Sequence, residues 1–304
     1  MNNKCNVKDI EFNAEGTILR GWLYTPADQN NKVPAIVMAH GFAAIKEMYL
    51  DKYAEIFASS GYAVLVFDQR NFGDSDGEPR QEIDPVTQVR DYRHAITFVQ
   101  TQEIVDPTRI GVWGTSYSGG HVLVVAAIDR RVKCVVFQVP AISGWKSVSF
   151  RSKPEELLKL RQEFDQDRSN RFNGLPPAII PIVAANGRAA FTHPAAFGFF
   201  TGKDAPAADQ WRYAQWKNEI TLRSLEMMTE NEPGSYIEHI SPTPLLMLLA
   251  EGEELISRDI HLEAFNRAGE PKKLHLVSGG HFAAYFNVAE YAQEGLLWFK
   301  EHLQ

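Results

Sequence analysis

The chain has 304 residues, 44% of them hydrophobic and 23% charged, the balance of a globular protein large enough for one big α/β domain or a domain with a sizeable insertion. Its formal net charge of -7 comes without a Lys/Arg-rich block, which argues against nucleic acid and anionic membrane as partners. The opening MNNKCNVKDIEF lacks a secretion signal's apolar core, the longest apolar runs are too short to span a bilayer, and Cys5 and Cys134 show neither CxxC spacing nor a secreted framework, so a cytoplasmic location is expected.

Two alternating segments open the chain, Val7 to Asn13 and Thr17 to Tyr24 around the turn-like AEG, and predict an antiparallel hairpin. After the loop PADQNNK the rhythm changes. Short continuous apolar runs stand at 35–39, 62–67, 110–113, 132–137, 244–250 and 274–277, the pattern of strands covered on both faces, as in a parallel sheet. Cys134 falls in one of these runs and reads as a small buried hydrophobe.

Helical patterns lie between the runs. Tyr49, Tyr53, Ile56 and Phe57 share one face; Asp84-Pro85 supplies an N-cap with proline at the first helical position; Ser257 to Ala268 and Val288 to His302 complete the set,. Alternating strand and helix predicts a doubly wound, mostly parallel α/β sheet behind the N-terminal hairpin. From about 141 to 240 no clear strand appears and helix-compatible stretches such as PEELLKLRQEF dominate. This interval reads as a helical cap insertion (141–240) on a core formed by 1–140 and 241–304.

Chemistry centres on GVWGTSYSGGH, residues 111–121. Ser116 follows an apolar run directly and stands among small residues, where a doubly wound sheet binds ligands. A serine on a sharp strand-to-helix turn needs small neighbours because strand and helix approach closely there. The stretch resembles the nucleophile elbow, G-x-S-x-G, of the α/β-hydrolase superfamily, with Ser118 in place of the last glycine.

That resemblance implies a triad in the order serine, acid, histidine. LVSGGHFAAYF places His281 after the last strand-like run, where the superfamily carries its histidine. The acid falls in EGEELIS, where Glu251, Glu253 and Glu254 compete; the pattern acid-x-apolar-apolar selects Glu253, with Asp259 as a fallback. At most one of the three glutamates is expected to hydrogen-bond His281. The oxyanion hole is expected from the backbone N–H groups of Phe42, in the H-G-x loop His40-Gly41-Phe42, and of Tyr117. His40 reads as a loop-stabilising residue. FDQRNFGDSDGEPR resembles a further loop of these hydrolases, in which Asp68 and Arg70 hold loops together.

The resemblance covers residues 15–140 and 241–304 and points to the branch near dienelactone-hydrolase-like and X-prolyl-peptidase-like esterases. It implies a serine hydrolase acting on a small-molecule acyl substrate, a carboxylic ester or lactone first and a thioester next. Acyltransferase or C–C hydrolase chemistry on the same triad remains open, as do self-association into a homo-oligomer and a non-catalytic ligand receptor. No cofactor or metal is expected, since neither HExxH, a glycine-rich phosphate loop nor G-x-G-x-x-G occurs,. FTHPAAFGFF, residues 191–200, supplies four phenylalanines for an apolar acyl pocket or for packing of the insertion.

Overall fold

The computed structural model describes residues 5–27 and 31–303. The first four residues of the opening segment and the middle of the PADQNNK loop lie outside the described residues. The expected hairpin is β1 (Cys5–Ala14) and β2 (Thr17–Pro26), paired antiparallel from Cys5 opposite Pro26 to Ala14 opposite Thr17. Then β3 (Val33–Ala39), α1 (Leu50–Ala58), β4 (Ala63–Phe67), α2 (Pro85–Gln100), β5 (Val105–Thr115), α3 (Tyr117–Ile128) and β6 (Val132–Gln138) alternate.

The next segment contains α4 (Gly144–Arg151), α5 (Pro154–Phe172), β7 (Ile179–Ile180), α6 (Pro194–Phe200), β8 (Ile220–Thr221) and α7 (Leu222–Glu230). Its two strands form an antiparallel pair of two residues each, too short to leave a periodic signal. Before β9, a 3-10 turn over Pro233–His239 packs against α3. The alternation resumes with β9 (Leu245–Ala250), α8 (Arg258–Arg267), β10 (Lys272–Val277), α9 (Ala283–Phe286) and α10 (Val288–His302).

The main sheet has eight strands in the order β1-β2-β4-β3-β5-β6-β9-β10. β1, β2 and β4 pair antiparallel, and every pairing from β4 to β10 is parallel. Every residue of β4 and β9 is buried, which explains their unbroken apolar runs: helices cover both faces. The edge strand β10 is mostly half-buried and correspondingly mixed in sequence. α2 begins as expected, with the Asp84 carboxylate accepting the Val86 and Thr87 amides at 3.0 and 3.2 Å and Pro85 in the first turn. No helix among the described residues is long and apolar enough to cross a membrane.

Because β3, β5, β9 and β10 run parallel, their carboxyl ends lie along one edge of the sheet. His40-Gly41-Phe42, Ser116, the 251–257 loop and the 278–282 loop all leave from that edge. At the same edge, directly after β4, the Asp68 carboxylate, fully buried, accepts the Lys46 amide and the Lys46 ammonium, each at 2.8 Å, and the Asp74 amide at 3.0 Å. Glu47 and Asp74 complete the carboxylate ring around that ammonium. Arg70 grips Asp91 through two N–H groups at 2.7 and 2.5 Å and reaches the Ala14 carbonyl. Asp68 and Arg70 thus fasten loops.

The Lys46–Asp68 pair yields a stability prediction. Lys46→Met strands a buried carboxylate and should cost roughly 3–5 kcal/mol, read as a lower denaturant midpoint at an unchanged m-value. Adding Asp68→Leu should recover part of the loss; a single variant as stable as wild type would show that the pair is not holding the loops.

Candidate active site

Ser116 occupies the junction between β5 and α3 at φ 53° and ψ -116°, a conformation costly for a residue with a Cβ. Its amide donates to Gln138 O at 2.9 Å and its carbonyl accepts the Ala141 amide at 2.8 Å, so β6 and the chain beyond it grip the turn on both sides. Gly114 is required by close approach: a Cβ there would overlap the Ser118 carbonyl and the Val122 side chain. Ser118, where the sequence motif departs from glycine, is fully buried. Its hydroxyl donates to Ala39 O at 2.7 Å and accepts the Thr115 amide at 2.9 Å, joining the ends of β3 and β5.

His281 and Glu253 meet Ser116 in one line. His281 Nε2 lies 3.0 Å from Ser116 Oγ, and His281 Nδ1 lies 2.9 and 2.8 Å from the two Glu253 oxygens. Both side chains are 2% exposed. Burial pushes the Glu253 carboxyl up, but the charge and hydrogen bond of His281, the nearby His261 and the Leu255 amide outweigh it, leaving the group below its ordinary value and therefore ionised at neutral pH,. An ionised acceptor fixes the proton of a neutral imidazole on Nδ1 and leaves Nε2 free to accept from the serine.

The expectation that a single glutamate would hydrogen-bond His281 is wrong. Glu254 turns the other way and accepts the His281 backbone amide at 3.0 Å. One carboxylate thus reaches the ring and its neighbour the main chain. Glu251 is exposed and Asp259 lies in the first turn of α8; neither hydrogen-bonds His281. His261, which the sequence reading did not single out, is buried beside Glu253 and bonds the Pro140 carbonyl at 2.8 Å through Nε2. Burial holds it below the ordinary histidine value.

The two expected amides lie at the same corner. A Cβ on Gly41 would stand 3.0 Å from both the Ser116 Cβ and the Thr115 carbonyl, so the 40–42 backbone runs directly over the serine turn. His40 accepts the Gly41 amide on Nδ1 at 2.8 Å and donates from Nε2 to Met48 O at 2.9 Å. Burial pushes it down to about 4, so it stays neutral and acts as a brace, stacked on Tyr285 at 5.1 Å. Neither the Phe42 nor the Tyr117 amide finds an acceptor among the described residues.

Around these groups closes a narrow, mainly apolar cavity with about 50 Å³ open to the centres of water-sized molecules. Phe42, Phe191, Phe199, Phe200, Phe282 and Tyr285 contribute rings to its wall. Phe199 stacks on Phe282 and Tyr285 at 4.8 and 4.5 Å, and Phe191 meets Phe42 edge-on at 5.3 Å. The FTHPAAFGFF segment therefore both packs against the sheet end and lines the cavity.

The family model described as X-Pro dipeptidyl-peptidase (S15 family) matches residues 15–155. The chain is 35% identical over 280 residues to a thiohydrolase of Eupenicillium brefeldianum, covering 90% of this chain and 87% of that protein. It is 30% identical over 280 residues to the polyketide transferase ATR5 of Stachybotrys chlorohalonatus, covering 90% and 89%. The crystal structure of the alpha/beta hydrolase GrgF from Penicillium sp. sh18 superposes with a TM-score of 0.82 at 28% identity, covering 98% of this chain and 99% of that one.

The Glu254 contact gives this site its own prediction. Glu254→Ala leaves the His281 amide without its charged acceptor and should lower kcat roughly tenfold, about 1.4 kcal/mol, with KM little changed. Steady-state kinetics with the melting temperature of the variant check it; full activity would assign Glu254 to solvent.

Proposed function

Since the chain belongs to the α/β-hydrolase superfamily, near its X-prolyl-peptidase-like branch, and is a hydrolase by that kinship, we propose that it cleaves acyl thioesters and esters through a serine acyl-enzyme. The observation that carries this reading is the hydrogen-bonded line from Ser116 through His281 to Glu253, ending in an apolar cavity beside two unengaged amides.

Ser116 Oγ attacks the substrate carbonyl while His281 Nε2 takes its proton. Glu253 holds the imidazolium that forms, and the Phe42 and Tyr117 amides bind the oxyanion. Collapse of the tetrahedral species breaks the bond to the leaving group, which takes the proton from His281 as thiol or alcohol. Water, deprotonated by His281, then attacks the acyl-enzyme; the second collapse releases the acid and returns the proton to Ser116. The scheme uses no metal or cofactor. We read residues 141–240 as a cap that closes over this chemistry, and the free thiols Cys5 and Cys134 fit a cytoplasmic setting.

The order of substrates follows the relatives. The name thiohydrolase on a protein matching nine-tenths of this chain puts a thioester first and an oxygen ester or lactone second. A second reading, transfer of the acyl group to a nucleophile other than water, is favoured by the polyketide transferase relative. Supplying an alcohol or amine during turnover and measuring the product ratio separates the two.

Ser116→Ala should lower turnover of a p-nitrophenyl ester and of an S-acyl thiol by roughly four to six orders of magnitude with the fold intact; wild-type rates would remove Ser116 from the chemistry. Glu253→Gln keeps the hydrogen-bonding shape but removes the charge, and should cost roughly two to four orders of magnitude in kcat. Melting temperatures measured alongside keep unfolding from passing as lost chemistry.

A further inference from the structure

A guanidinium stands in the wall of the Ser116 cavity with no carboxylate in direct contact among the described residues. Arg151, the last residue of α4, lines that cavity and also the larger cleft outside it. One guanidinium nitrogen donates to the Leu255 carbonyl at 3.0 Å, and the group lies 5.2 Å above the Phe191 ring. These contacts hold it in place but do not neutralise it. A guanidinium carries five N–H donors in a planar fork, and among the described residues Arg151 makes no ion pair with a carboxylate. Burial pushes it down to about 10 against the pull of the Glu253 charge, as expected for a cation taken out of water.

A second observation falls on the same face of the same helix. Ser147 stands one turn before Arg151, where side chains four apart are neighbours. It lines the same cavity, is 6% exposed, and its hydroxyl has no hydrogen-bond partner among the described residues. Buried polar groups ordinarily find partners. A guanidinium with no carboxylate in contact and a hydroxyl without its acceptor, side by side in a mainly apolar cavity, call for one ligand group: an anion that accepts from both.

We propose that Arg151 and Ser147 form a subsite for a carboxylate carried by the substrate, so that the preferred substrates are acyl thioesters or esters with a free carboxylate close to the scissile carbonyl. The small cavity favours a compact planar anion, and a carboxylate matches the guanidinium fork. Arg151 is then a specificity-determining residue, touching a part of the substrate that does not react. The inference rests on Ser116 being the nucleophile, because the shared cavity is what places the anion near the reacting carbonyl.

Two substrate pairs test it and separate the two places a carboxylate can sit. On the acyl side, p-nitrophenyl monoglutarate is compared with p-nitrophenyl valerate. On the leaving-group side, the S-butyryl thioester of mercaptoacetate is compared with that of its methyl ester. In at least one pair the wild type should favour the charged member roughly ten- to a hundredfold in kcat/KM. Arg151→Met should bring that ratio near one, Arg151→Lys should restore part of it, and Ser147→Ala should reduce it severalfold.

No preference in either pair, or an Arg151→Met effect equal on charged and neutral substrates, would overturn the proposal and leave Arg151 only the task of holding Leu255. If Arg151→Met does not fold, the Ser147→Ala ratio decides. Ser116→Ala is assayed on the neutral esters in parallel. Activity surviving there overturns the nucleophile reading itself, whereas Ser116-dependent turnover with no charge preference overturns the carboxylate subsite alone.

Discussion

One backbone conformation sets the geometry of the whole site: φ 53° and ψ -116° at Ser116. A residue with a side chain pays about 1–3 kcal/mol to stay in such a region, so the neighbourhood must over-determine it. Four hydrogen bonds do so. Ser116 is held at both its amide and its carbonyl by the chain around β6, and Ser118 links the ends of β3 and β5 through its hydroxyl. The substitution of serine for the motif's last glycine is therefore a gain of two bonds at a place too crowded for anything much larger. With the turn held this way, Ser116 Oγ stands clear of α3, and the first free amide of that helix belongs to the next residue, Tyr117.

The second constraint is distance across the sheet. Ser116 leaves β5 while His281 leaves β10, and β6 and β9 stand between them. At nearly 5 Å per strand, the loop after β10 has to travel back over two neighbours to reach the serine. A buried polar network fastens it there. Thr115 Oγ1 and Tyr285 Oη lie 3.0 Å apart, Gln138 donates to Thr115 Oγ1 at 3.1 Å and to Tyr53 Oη at 3.2 Å, and Tyr53 donates to the Ala284 carbonyl at 2.5 Å. Residues from α1, β5, β6 and α9 thereby join in one set of bonds beneath the histidine. Glu253 and Glu254 take the ring and the main chain of His281 from the β9 side. The line Ser116–His281–Glu253 is thus held at each of its three members by different parts of the fold.

What could be read from the sequence divides along the same lines. Regular elements announced themselves because burial on both faces of β3 to β6 and β9 demands unbroken apolar runs, and the Asp84-Pro85 start of α2 is a local signal. The closeness of Ser116, His281 and Glu253 was legible because parallel strands put their carboxyl ends on one edge, and because the resemblance to the α/β-hydrolase superfamily supplied the order of the triad and the acid-x-apolar-apolar pattern that selects Glu253. Glu254 was misjudged because the spacing rule picks one acid and says nothing of the next side chain, which finds a backbone amide instead of water. Tyr285, Gln138 and His261 gave no signal: each is polar, buried and far in sequence from its partner. In residues 141–240 no period marks which side faces inward, so Arg151 and Ser147 looked like ordinary residues of a helix end.

The same division bears on chemistry. In the proposed scheme the first half-reaction uses only groups at the sheet edge, and those would serve a hydrolase and an acyltransferase alike. The outcome is decided afterwards, by which nucleophile reaches the acyl-enzyme. In that scheme access falls to the cavity wall, where the intervening segment contributes Phe191, Phe199 and Phe200 and Arg151, which lines both the cavity and the outer cleft. Relatives named thiohydrolase and polyketide transferase align with nearly the same share of this chain. Under the proposed scheme, then, the sheet edge supplies the common first step, and the wall is the part left to select what enters and what accepts the acyl group.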